Sequence, residues 1–149
     1  MRFRRLSKEE LEGLQHEFVQ FMVVHGIDAG AWEAIKRESP ETAVSWVELF
    51  SEFIFEGIFS KVCYLEHFGG NVYRLFHCAD DVISMITIEG SKGFQFVDEM
   101  IAAMQASPEG FLIKKASKGY VPDRHTEIFR MVESGALVSD GKLFGVFSN

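Results

Sequence analysis

The spacing of apolar residues changes once along this chain, near Lys61, and that change constrains the fold more than any other feature. Before it, apolar side chains recur every three or four positions. After it, they fall in short β-branched and aromatic runs. Helical periodicity followed by strand periodicity implies an α+β arrangement, with helices gathered first and strands second.

The strongest helix opens at Ser39-Pro40, with Ser as N-cap and Pro at the first helical position. Ala43, Trp46, Val47, Phe50, Phe53, Ile54, Gly57 and Ile58 fall within an arc of roughly 140° at 100° per residue. Trp46, Phe50, Phe53 and Ile54 are expected to face the sheet. Glu48, Glu52 and Glu56 fill the opposite, solvated side, and Phe55 and Phe59 lie outside the apolar arc as exposed aromatics. Upstream, Ser7 and Glu10 form an S-x-x-E capping box with Leu6 before it. Leu11, Leu14, Phe18, Phe21 and Met22 then continue as one helix that Gly26 stops. Asp28 caps a short third segment around Trp32 and Ile35.

Downstream, Val62–Phe68 and Val72–Cys78 flank Gly69-Gly70-Asn71, a hairpin signal, and Val82–Ile88 reads as a central strand. Asp98–Gln105 reads as a helix, Phe111–Ala116 as a strand and Asp123–Ser134 as a last helix. Asp140-Gly141 between Leu137-Val138 and Leu143-Phe144 reads as a type I′ hairpin. The expected fold has N-terminal helices packed on one face of a small antiparallel sheet, with a C-terminal helix and a short hairpin. The whole is one domain over residues 1–149: 1–60 mainly helical, 61–149 a sheet with two further helices.

Composition excludes several classes. Forty-seven per cent hydrophobic residues and 15 Phe are too many for a disordered chain. Two Cys cannot build a disulfide framework, and no apolar run approaches the ~18 residues of a membrane span. No apolar segment follows the basic start in the manner of a secretory signal, so a cytoplasmic location is expected. Fifteen basic against 22 acidic residues give a net charge of -7, which makes nucleic acid an unlikely partner.

Candidate chemistry is sparse. Cys63, Cys78 and the five His lack the paired close spacing of a zinc site, so no metal is expected. A hairpin centred on Gly69-Gly70 would set Cys63 opposite Phe76 and Cys78 opposite Lys61. The two thiols would then be a diagonal pair with Cα atoms ~7–8 Å apart, too far for a disulfide. His25, near the C-terminus of its helix, suits hydrogen bonding to terminal carbonyls. His125 suits the first turn of the last helix. Glu89-Gly90-Ser91-Lys92-Gly93 resembles an anion nest in placement but lacks the G-x-x-x-x-G-K-[ST] pattern. No catalytic set and no cofactor motif emerge.

Positive charge gathers in two places. Lys114, Lys115, Lys118, Arg124 and Arg130 stand against Asp123 and Glu127, and Arg2, Arg4 and Arg5 open the chain. Arg2, Arg4, Arg5, Lys114, Lys115 and Lys118 are therefore the candidate partner-binding residues, for a protein with an acidic surface. Phe3 and Tyr120 are possible stacking surfaces beside them. The competing reading is an edge strand whose lysines discourage aggregation.

Arg4-Arg5-Leu6-Ser7-Lys8-Glu9-Glu10, Trp32, Phe50-Ser51, Lys61-Val62-Cys63-Tyr64-Leu65-Glu66 and Glu133-Ser134-Gly135-Ala136-Leu137-Val138-Ser139-Asp140-Gly141 together resemble a family of short, uncharacterised proteins of about 150 residues from Bacteroidetes-type bacteria. The resemblance implies a small cytoplasmic protein and carries over no activity, cofactor or functional residue. The residues themselves point to a non-enzymatic interaction or regulatory module. The alternatives are a small-ligand-binding domain, with a pocket between the long helix and the sheet near His67 or Arg74, and an enzyme of unrecognised type.

Overall fold

The computed structural model describes residues 2–148 and is α+β: helices, then an antiparallel sheet, then helices again. Residues 1–58 and 59–149 form two compact units.

In the first unit, Ser7 accepts from Glu10 N while the Glu10 carboxylate accepts from Ser7 N, and this capping box opens α1 (Lys8–Gly13). The expected single helix is two. Gly13 is a poor helix former. After it Leu14 leaves helical geometry (φ -113°, ψ 23°), and α2 (Gln15–Val24) starts afresh. Asp28 caps α3 (Ala29–Glu38) by accepting from Ala31 N, and α4 runs from Pro40 to Lys61. Rings from α2, α3 and α4 interlock at edge-to-face and tilted angles. Phe18 lies 5.2 Å from Trp32 and 5.1 Å from Phe50, and Phe21 lies 5.4 Å from Phe50 and 5.2 Å from Phe53.

The buried stripe of α4 drifts around the helix. Ala43 and Phe50 are buried as the arc requires, but so are Ser51, Phe55 and Phe59, whereas Phe53 is 58% and Ile58 48% exposed. The reason is a change of neighbour along the helix. Trp46 and Phe50 meet α2, Phe55 meets Phe3, and Phe59 meets Phe129. Phe3 belongs to an extended segment laid along α4. Phe3 N donates to Glu52 Oε1, Leu6 N donates to the buried Ser51 hydroxyl, and Arg2 pairs with Glu56. Two of the glutamates expected to face solvent thus hold this strap.

The second unit is built on five strands in the order β4-β3-β2-β1-β5: β1 (Tyr64–Gly69), β2 (Val72–Cys78), β3 (Val82–Gly90), β4 (Phe111–Gly119) and β5 (Leu137–Val138). Every pairing is antiparallel. The hairpin loop is Gly70-Asn71, with φ +63° at Gly70, so the register is Tyr64↔His77. That is two residues from the expected alignment. Cys63 therefore lies level with Cys78, whose N–H donates to the Cys63 carbonyl at 2.7 Å. Both thiols are free; Cys63 is exposed, and burial pushes the Cys78 thiol up to about 11.

One sheet face carries Tyr73, Leu75, Ile86 and Ile88, packed with Met100 of α5 (Val97–Ala106) and with Phe144 and Phe147 of α7 (Lys142–Phe147). Across the other lies α6 (Arg124–Glu133), capped by Asp123, which accepts from Thr126 N. The expected C-terminal hairpin is absent. Leu137-Val138 pairs with Leu65 and Glu66 of β1, and residues 142–147 are helical. Asp140 accepts from Lys142 N and so starts a helix where a turn was expected. Gly141 (φ +79°) runs so close to the Tyr64 ring that a Cβ would lie 2.5 Å from it.

Arg124 joins three of these parts. Its guanidinium donates to the carbonyls of Phe59 and Val62 at the end of α4, and to those of Cys78 and Ala79 at the end of β2. A cation there also complements the negative end of the helix dipole. Arg124→Lys, which replaces a planar fork by a point charge, should cost about 2–4 kcal/mol in urea unfolding; a loss under about 0.5 would show the contacts to be dispensable. Gly141→Ala should cost about 1–3 kcal/mol through strain and overlap with Tyr64, whereas Gly145→Ala, in open space within α7, should be neutral or slightly stabilising. Equal effects at both sites would contradict the close approach.

Arg4, hydrogen-bonded at 2.7 and 3.1 Å, together with Ser7, lowers the Glu10 carboxyl from 4.5 to about 2. The folded value is below the unfolded one, so the stabilisation is complete above about pH 4.5 and is lost as pH falls toward 2. The melting-temperature gap between wild type and Glu10→Gln should accordingly narrow from pH 7 to pH 2.5. A constant gap would refute the linkage.

Candidate functional site

β4 is an edge strand of nine residues, and Leu112–Gly119 are exposed throughout. A strand in this position leaves alternate N–H and C=O groups pointing away from the sheet. Its three lysines do not form one strip. Lys114, opposite Thr87, and Lys118, opposite Ile83, share the face crossed by α6; Lys115, opposite Ile86, lies on the other. Lys118 pairs with Glu127, whose other oxygen accepts from Val121 N at 2.8 Å.

The other candidates lie in the first unit. Arg2 pairs with Glu56 and Arg4 with Glu10, and the Arg4 guanidinium also sits 5.1 Å from the Phe55 ring centre. Arg5 is exposed. The proposed stacking surfaces are otherwise engaged: Phe3 is buried, and the Tyr120 hydroxyl donates to Ala79 O at 2.5 Å. Phe55 and Phe59, expected as exposed aromatics, are buried as well. Arg124, which the sequence placed among surface charges, is spent on backbone carbonyls.

The loop after β3 is tied at both ends. Gly90 N donates to Asn71 O at 2.8 Å and Phe94 N to Gly70 O at 2.9 Å, so these two amides are not offered to an anion. His25 Nδ1 lies 2.8 Å from Phe21 O, as expected of a helix-terminal histidine. Among the described residues, no group of three His, Cys, Asp or Glu side chains is arranged to hold a metal ion, and no helix is long and apolar enough to cross a membrane.

The face crossed by α6 carries an arrangement that the sequence did not disclose. The ladder aligns His67, Arg74, Thr87 and Lys114 across four strands in one row. The next row on the same face is Leu65, Phe76, Met85 and Ala116. Between this face and α6 are two adjoining hollows of about 220 and 120 Å³; Phe76 and Met131 line both. The sequence suggested His67 or Arg74 as pocket residues beneath the long helix. They do line a hollow, and its roof is Met131 of α6. Their alignment depends on the hairpin register, which the alternative loop choice hid.

No curated protein and no solved structure matches the chain. A family of unknown function, DUF6495, matches over residues 1–149, and the chain belongs to that family.

Proposed function

We propose that the protein is a non-enzymatic interaction module that takes an extended acidic polypeptide segment as an added strand on β4. The carrying observation is a nine-residue edge strand, exposed from Leu112 to Gly119, with three lysines in a chain of net charge -7. Main-chain pairing would supply the affinity of strand addition, and alternate side chains the selectivity. The same lysines oppose pairing with a second copy, because two β4 edges would bring like charges together. Arg2, Arg4 and Lys118 already have carboxylate partners, so the reading rests on the exposed β4 edge itself.

A cytoplasmic setting belongs to the same reading and suits the two free thiols.

A fluorescent eight-residue peptide of alternating Glu and Val should bind, and its Lys/Val counterpart should not. Binding should weaken as salt rises from 0.05 to 0.5 M, as screening shortens to a few ångströms. Changing Lys114, Lys115 and Lys118 together to Glu should weaken it by about tenfold or more. Backbone amide shifts should cluster on β4. Equal binding of both peptides, or none of the acidic one, would overturn the proposal.

A further inference from the structure

Arg74 is half-buried, yet among the described residues it makes no ion pair or hydrogen bond through its side chain; the same is true of Lys114, two strands away. The chain has 22 carboxylates, so this is not for want of acids. Glu89, two residues along from Thr87 on the same face, is the neighbouring carboxylate and pairs with neither. Strands are spaced at ~4.8 Å, which puts the Arg74 and Lys114 backbones ~10 Å apart with the Thr87 hydroxyl between them. A partly desolvated guanidinium calls for an anion, and its planar fork fits a carboxylate through two parallel hydrogen bonds.

Beside this row the surface turns apolar. Phe76 and Met85 are the next residues on β2 and β3, and Met131 overhangs Phe76 from α6. From the Arg74 row to the Lys118 row is four residues, ~13 Å along the strands. At that far end the Lys118–Glu127 pair lies beside the hollow.

We infer that this cleft binds a small organic acid, with its carboxylate on Arg74, flanked by His67 and Thr87, and its apolar body between Phe76 and Met131. The lining matches: apolar side chains with a few placed polar groups are the usual form of small-molecule sites. A carboxylate fits better than a phosphate. Phosphate sites draw on loop or helix-start N–H groups, whereas the neighbours of Arg74 are ladder-paired strands. This inference is independent of strand addition at β4; it uses the sheet face where that uses the edge.

The probe is octanoate, titrated into the full-length protein with ¹⁵N backbone and ¹³C methionine-methyl labels. Saturable shifts should centre on the Thr87 amide and the Met85 and Met131 methyls. Octanol, with the same body and no charge, should bind about tenfold more weakly or worse. Arg74→Gln should weaken octanoate by a similar factor and leave octanol unchanged. Lys114→Gln, one strand further out, should have a smaller effect. Equal binding of octanol and octanoate to the wild type would overturn the inference even if Arg74→Gln failed to fold. Scattered or non-saturating shifts, or full octanoate affinity in a folded Arg74→Gln, would overturn it as well.

Discussion

The second unit is organised by one cation turned inward. The end of a helix and the end of a strand both leave carbonyl oxygens without partners, and in this protein two such ends meet. Arg124 satisfies them together from the first turn of α6. A guanidinium reaches several acceptors at once because its donors are fixed in a plane; a lysine in its place would reach fewer and would be more strongly hydrated. With α6 fixed at this point, Ile128 is fully buried and Met131 overhangs the sheet. The roof of the cleft thus follows from the same contact that closes the helix end.

Charge is used economically in both units. Arg2, Arg4, Lys118 and Arg124 are all committed to the fold, three through carboxylates and one through carbonyls. On the sheet of the second unit, Arg74 and Lys114 are by contrast without an ion pair among the described residues. Cations placed in this way on an acidic protein attract anions at specific places, which favours selectivity over general affinity.

Much of the architecture was legible because local signals agreed with the final fold. The Ser7–Glu10 box, the Asp28 and Asp123 caps, the Ser39-Pro40 start and the main strands all express chemistry within a few residues. Misreadings came where a distant group decided the outcome. Glu52 and Glu56 looked solvated because nothing near them in sequence needs a carboxylate; Phe3 and Arg2 do. Phe55 and Phe59 fell off the helical arc because a single arc assumes one partner along the helix. Asp140-Gly141 carries the same dipeptide whether it turns a hairpin or starts a helix, and Tyr64 and β1 chose the latter. The cleft was hidden by the hairpin loop. Centring it on Gly69-Gly70 instead of Gly70-Asn71 keeps each side chain on its face but moves every cross-strand partner by two, so the His67–Arg74 pairing is lost.

The strap along α4 has a consequence for synthesis. Its anchors are separated in sequence by 45 to 54 residues: Leu6 waits for Ser51, and Arg2 for Glu56. At translation rates of 5–20 residues per second, the strap would be made about 3–10 s before its seat. Over that interval Phe3 and Leu6, both buried in the finished protein, have no helix to lie against. The three arginines interleaved with them are then charged neighbours on an unfolded segment, and charge is what keeps short apolar stretches from associating. Arg2 and Arg4 would thus serve twice, first by keeping the nascent strap soluble and later as its ionic fastening.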